Sequence, residues 1–256
     1  MIDSELKGIL ERKVLLYNTP EFIAPDPVSI PHGFTRKEDI EIAGFLTALI
    51  SWGRRPAILK VAVRMMHAMD NAPYEFVTGY SDEDLKRLAG FVYRTFNDSD
   101  LLFLVEALRW LYREKGGLET VCTAYFNRQG LIKDAITGLR KELLRVPHLS
   151  RSEKHLAAPE KGSAAKRINM FLRWMVRKDN RGVDFGLWKQ IPPRALMIPL
   201  DVHSGNTARK LGLLKRKQND WKAVEELTAR LRIFDAADPA KYDYALFGTG
   251  IYEKWP

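Results

Sequence analysis

The chain has 256 residues, enough for one large or two small domains and for a substantial hydrophobic core. Its 41 Lys and Arg residues against 32 Asp and Glu give a net charge of +9, which favours an anionic partner, most commonly nucleic acid in a basic protein. A single cysteine, Cys122, excludes internal disulfides and any multi-cysteine zinc or iron–sulfur site. Its neighbours Thr120-Val121-Cys122-Thr123-Ala124-Tyr125-Phe126 are largely apolar, which predicts a buried, inert thiol. No run of roughly 18 apolar residues and no apolar signal core are found, so neither membrane insertion nor secretion is expected. The expected compartment is the cytoplasm, in a bacterium the cytosol or nucleoid.

Residues 1–18 carry Ile2, Leu6, Ile9, Leu10, Val14 and Leu15 at mixed three- and four-residue steps, a helical pattern. Four prolines in 19–34 (Pro20, Pro25, Pro27, Pro31) predict an extended connection. A nearly buried helix follows, and Ser51-Trp52-Gly53-Arg54-Arg55-Pro56 breaks it before a second helix over about 56–69. Pro73 starts a short helix, and Ser81-Asp82-Glu83-Asp84 reads as an N-cap with acids in the first turn. Asn97-Asp98-Ser99-Asp100 repeats that signal ahead of an amphipathic helix over 99–114, ended by Gly116-Gly117. Helices over about 118–127 and 130–145 lead to a loop at 146–162. Residues 163–178 form an amphipathic helix with Ala165, Ile168, Phe171, Leu172, Met175 and Val176 inward and Arg167, Arg173 and Arg177 mostly on other faces. A helix starts after Asp201 and stops at Gly212, and two more, about 219–233 and 238–252, close the chain. Alternating apolar runs are missing, so the expected fold is all-α with roughly ten helices.

Three groups of residues are candidates for chemistry. Asp201 stands at a helix start after the apolar approach Ala195-Leu196-Met197-Ile198-Pro199-Leu200. Its plainest role is an N-cap, worth about 1 kcal/mol. His203, two residues on, is expected to orient its neighbours rather than bind a metal, because no second histidine or acid lies at ligand spacing. No metal and no cofactor are expected. Lys166 sits on the most apolar helix, preceded by Lys161-Gly162-Ser163-Ala164-Ala165. A lysine near an apolar face can lose its charge and act as a nucleophile, while the plain alternative is a snorkelling surface lysine. Gly162 and the helix start beyond it offer backbone N–H groups to a phosphate.

These residues together are familiar. Leu200-Asp201-Val202-His203, followed by Thr207-Ala208-Arg209-Lys210-Leu211-Gly212, resembles the aspartate motif of the helix-hairpin-helix DNA glycosylase superfamily. Glu41-Ile42-Ala43-Gly44-Phe45-Leu46-Thr47-Ala48-Leu49-Ile50-Ser51-Trp52 resembles the buried early helix that ends at the base pocket. Tyr93-Arg94-Thr95-Phe96 and the helix to Gly117 resemble the middle of the N-terminal lobe. Tyr242-Asp243-Tyr244-Ala245-Leu246-Phe247-Gly248-Thr249-Gly250 is similar to the closing helix of the archaeal 8-oxoguanine DNA glycosylases. The whole chain is more similar still to an uncharacterised bacterial glycosylase-like family, through stretches that include 161–177 and 198–213. The superfamily resemblance spans about residues 35–252. Its usual Leu-Pro-Gly-x-Gly hairpin is here Pro159-Glu160-Lys161-Gly162-Ser163, a degenerate form with one of the two glycines.

The resemblance implies a two-lobed, all-α fold with a degenerate helix-hairpin-helix. An N-terminal helix and Pro-rich arm (1–34) would pack on a helical domain (35–256) whose catalytic cleft lies between its lobes. It implies a base-excision-repair DNA glycosylase removing a damaged base, an oxidised purine by the archaeal similarity. Asp201 would be the catalytic aspartate and Lys166 the Schiff-base lysine that adds lyase activity, with Lys161 the alternative nucleophile. Trp52, Phe45 and Asp243 would line the base pocket. Gly162, Arg54, Arg55, Arg167 and Lys210, together with Arg173, Lys215, Arg216 and Lys217, would meet phosphates. The partner would be damaged duplex DNA, with no membrane role and a monomeric state. The alternative is a non-catalytic nucleic-acid-binding protein on a glycosylase scaffold, or a helical scaffold with no nucleic-acid role if the positive charge is scattered.

Overall fold

The computed structural model describes residues 2–253. The fold is all-α: α1 (Asp3–Tyr17), α2 (Lys37–Ile50), α3 (Arg55–Ala68), α4 (Pro73–Gly79), α5 (Asp82–Lys86), α6 (Asp98–Glu114), α7 (Gly117–Gln129), α8 (Ile132–Leu143), α9 (Lys166–Val176), α10 (Val202–Lys210), α11 (Trp221–Phe234) and α12 (Tyr242–Gly248). Two-residue strands, β1 (Val92–Tyr93) and β2 (Phe96–Asn97), pair antiparallel across Arg94-Thr95. No helix among the described residues is long and apolar enough to cross a membrane.

The Pro-rich stretch 19–34 is not extended. It forms three 3-10 turns, Pro20–Phe22, Pro27–Ser29 and Pro31–Gly33, each opened by a proline. Proline's fixed φ suits a first helical position, where the missing N–H is not needed. The same property that bars proline from helix interiors makes it a helix initiator here. The expected loop at 146–162 likewise contains 3-10 turns, Ser150–His155 and Pro159–Lys161.

The chain divides into two compact units, residues 24–157 and residues 1–23 with 158–256. In the central unit α2 is the buried element, with Ile42, Ala43, Phe45, Ala48 and Ile50 fully enclosed. It packs on α3 and α4, while α6 packs on α4, α7 and α8. The α7–α8 pair closes tightly at Gly138, where a Cβ would lie 2.0 Å from the Tyr125 ring. Cys122 is buried as expected, and burial raises its thiol pKa.

In the terminal unit α1 packs along α12, and α12 packs on α10. The expected single helix over 238–252 is three pieces: a 3-10 turn (Pro239–Lys241), α12, and a π-helical turn (Thr249–Glu253). The change of winding coincides with close packing. A Cβ on Gly248 would lie 2.2 Å from the Tyr17 ring, and one on Gly250 3.1 Å from the His203 carbonyl. α9 begins at Lys166 rather than residue 163, because Ala165 takes a left-handed conformation (φ 49°) that turns the chain into the helix.

Candidate active site

The apolar approach to Asp201 anchors it. Leu196, Met197, Ile198 and Leu200 are buried, and the Ile198 N–H donates to Thr228 Oγ1 on α11 (3.1 Å). Asp201 then caps α10. Its Oδ1 accepts from the Ser204 N–H (2.9 Å) and the Ser204 hydroxyl (3.2 Å), while its own N–H donates to Ser204 Oγ (2.9 Å). This reciprocal box fixes the carboxylate through one oxygen only. The other oxygen, Oδ2, faces Lys166 Nζ at 4.0 Å. The cap and the approach to Lys166 therefore use different atoms of the same group. α10 stops at Gly212 (φ 69°), with the Leu213 N–H closing onto the Ala208 carbonyl (2.8 Å), a glycine-terminated end.

Lys166 is the first residue of α9, an electrostatically poor place for an ammonium, since the N-terminal dipole is positive. The Asp201 carboxylate offsets this, and Met170 Sδ lies 3.5 Å from Nζ, one turn along α9. Both members of the pair keep about a quarter of their side-chain surface open to solvent (25% and 22%), so the centre is reachable. The segment ahead of α9 is a single 3-10 turn (Pro159–Lys161), followed by Gly162 at φ 92°. Gly162 and Lys161 are exposed, and the Gly162 N–H donates within the turn, to the Pro159 carbonyl (3.0 Å).

Asp243 belongs to the same electrostatic group. It lies on α12, is nearly fully buried, and takes a charged hydrogen bond from Arg173 Nη1. Burial pushes its carboxyl up to about 7; Arg173 opposes the rise, the Asp201 charge adds to it, and Lys166 opposes it. A raised pKa means that ionisation costs folding free energy. Its contribution is fully present below the ordinary carboxylate value of 3.8 and is lost as pH rises through 7. Asp243→Asn cannot ionise, so thermal unfolding at pH 5 and pH 8 should show the stability gap to wild type moving in the variant's favour at pH 8. The expected movement is about 2 kcal/mol, from about 1.4 kcal/mol per pH unit over part of the interval. Parallel pH profiles for the two proteins would remove the assignment.

The expected outward placement of Arg173 and Arg177 is incorrect. Both are buried (3% and 2% exposed), which also removes Arg173 from the phosphate contacts. Asp184 binds Arg173 Nε (3.3 Å) and Arg177 Nη1 (3.0 Å), while Asp179 and Asp238 each reach Arg177 at 2.8 Å. The Tyr244 ring lies under the Arg173 guanidinium, 4.2 Å from its centroid. Burial opposes the Arg177 charge, and Asp184, Asp238 and Asp179 outweigh it, so its pKa is raised. Arg167 is half-buried, and burial lowers its pKa to about 10. Lys210 is exposed, and so is His203, whose ring edge meets Phe247 at 6.5 Å.

The remaining candidates lie in the central unit. Phe45 is completely enclosed in its core. Trp52 is half-exposed, its indole stacked on His155 (5.9 Å between centroids) and tilted against Tyr93 (5.5 Å). Arg54 is exposed and Arg55 half-buried at the start of α3. The sequence reading missed what holds Trp52's neighbour. Asp100, read only as part of a helix start, also accepts from Ser152 Oγ (2.6 Å) and Arg151 Nη1 (3.0 Å) and faces His155 Nε2 (3.2 Å). Burial raises its pKa, but Ser152, the Asn97 N–H, His155 and Arg151 outweigh that and lower it. Its place in Asn97-Asp98-Ser99-Asp100 was the only local signal. Among the described residues no group of three or more His, Cys, Asp or Glu side chains is placed to hold a metal ion.

The terminal unit is thus a helical scaffold presenting a lysine and a carboxylate to solvent, with a second, buried carboxyl in their field. Over residues 26–252 the chain matches the family described as "Protein of unknown function (DUF2400)", and it belongs to that family. No curated protein and no solved structure matches it.

Proposed function

We propose that the protein is a base-excision-repair DNA glycosylase that removes a damaged base, an oxidised purine, and adds lyase activity through a Schiff-base lysine. The observation that carries this reading is the approach of Lys166 Nζ to Asp201 Oδ2 (4.0 Å) with both side chains open to solvent. The motif resemblance points to the same two residues. The target base would be turned out of the stack. Asp201 Oδ2 takes a proton from the Lys166 ammonium, and the freed amine lone pair attacks C1′ of the sugar. The C1′–N bond pair leaves with the base, which takes the proton from Asp201 as it departs and so restores the Asp201 carboxylate. Loss of a further amine proton and release of the ring oxygen as a hydroxyl leave the C1′=N Schiff base. The fixed Asp201 carboxylate stabilises the positive charge that develops on the sugar. Asp243, buried against Arg173 with its carboxyl pushed up to about 7, acts on this reading through its charge on the pair rather than by touching the base. The exposed Arg54 and Lys210 are the phosphate contacts this reading favours.

Release of base from a panel of duplexes, each with one damaged base, tests the reading. Excision of at least one lesion supports it. The competing reading, a binding protein without chemistry, requires salt-dependent DNA binding with no product from any lesion, unchanged in Asp201→Asn and Lys166→Gln.

A further inference from the structure

Neither Asp201 nor Lys166 is held in register by its own helix alone, and one short segment touches the backbone beside both. Residues 219 and 220 lead into α11, and Trp221 is its first residue. The Asn219 Nδ2 amide donates to the Asp201 carbonyl (3.0 Å). Next to it, Asp220 bridges antiparallel to Ser163, and the Trp221 N–H donates to the Gly162 carbonyl (3.0 Å). Gly162 and Ser163 are the turn that leads into Lys166, since Ser163 Oγ accepts from the Ala165 N–H (3.2 Å) and Ala165 supplies the left-handed step. Three consecutive residues thus grip the Asp201 end and the Lys166 end of the pair.

The grip on Asp201 is itself braced. Arg209 Nη2 donates to Asn219 Oδ1 (2.6 Å), and Arg209 Nε donates to the Arg216 carbonyl (2.8 Å). Arg216 Nε in turn bonds Asp220 Oδ1 (2.6 Å), and that hydrogen bond holds the Asp220 carboxyl down at about 2. The basic run at 215–217, expected to meet phosphates, therefore includes a structural member. Room for Asn219 comes from Gly205 on α10, where a Cβ would stand 2.9 Å from Asn219 Oδ1 and 3.0 Å from Arg209 Nη1.

We propose that residues 219–221 form a strap that sets the Lys166–Asp201 spacing, with Asn219 as the positioning residue for Asp201. Its catalytic consequence rests on the glycosylase reading, but the strap can be tested without it. Reductive 13C-dimethylation of the full chain, with Lys166 assigned through Lys166→Arg, reports the surroundings of its Nζ as an NMR chemical shift at fixed pH. Asp201→Asn supplies the change in chemical shift for a lost partner. Asn219→Ala is expected to show at least half of that shift, and so is Gly205→Ala, which displaces Asn219 without deleting it. On abasic duplex, borohydride trapping should slow about tenfold in both variants at unchanged DNA affinity, and Asn219→Gln should recover part of it. If Asn219→Ala does not fold, Gly205→Ala decides. Folded variants whose Lys166 resonance stays at its wild-type position overturn the strap. If the wild-type protein traps no DNA, the glycosylase reading falls while the Lys166 resonance still decides this inference.

Discussion

Arg173→Met is expected to destabilise the protein by about 3–5 kcal/mol, the cost of removing one partner from a buried ion pair. Arg173 is almost wholly enclosed, and its guanidinium serves both Asp184 and Asp243 while lying on the Tyr244 ring. Methionine fills much of the volume, so the loss is mainly electrostatic. Asp184 keeps Arg177 at 3.0 Å, but the variant removes the guanidinium bonded to Asp243. Thermal unfolding should move down by roughly 10 °C, at about 2–4 °C per kcal/mol for a chain of this size. The double variant Arg173→Met/Asp243→Asn should cost less than the sum of the singles, with a coupling of about 1–3 kcal/mol. Strict additivity would mean that the pair contributes nothing specific. A single-variant loss under about 1 kcal/mol would mean that this cluster is solvated in solution.

Asp201→Asn should separate the two roles of that residue. Asparagine caps helices about as well as aspartate, so Ser204 keeps its acceptor and stability should change by no more than about 0.5 kcal/mol. The charge facing Lys166 is lost, and with it, on the proposed glycosylase reading, proton transfer and the stabilisation of a sugar cation. Single-turnover base release should fall roughly a thousandfold, within the range of about 10²–10⁴ for a positioned acid or base. An unchanged rate would leave Asp201 as a cap and nothing more. A large drop in both rate and melting temperature would also contradict the division of labour between its two oxygens.

Much of the scaffold was legible because its signals are local. Capping boxes at Ser81 and Asn97, the cap at Asp201 and the stop at Gly212 need only a few neighbouring residues. The misread proline stretch shows how local reasoning fails: four prolines argued against a helix, yet each 3-10 turn needs one helical φ and a proline supplies it. The pattern of α9 places its arginines outward because an apolar stripe defines one face and charge falls on the rest. Their partners Asp179, Asp184, Asp238 and Asp243 come from separate loops and from α12, and no periodicity links them. Asn219 was invisible for the same reason. It acts eighteen residues from its partner, across an irregular loop in which an asparagine reads as a turn residue. A motif marks Asp201, but only its place on the helix before that motif marks Lys166, and their approach in space is tertiary information.

Covalent trapping tests the central claim most directly. Borohydride reduces a Schiff base to a stable amine, so wild-type protein mixed with a duplex holding one damaged or abasic site should give a protein–DNA adduct. Lys166→Gln should abolish that adduct, Lys161→Gln should leave it intact, and Asp201→Asn should slow its formation while DNA binding persists. An adduct that survives Lys166→Gln at the wild-type yield, or no adduct with any lesion, would contradict Lys166 and Asp201 as a catalytic pair.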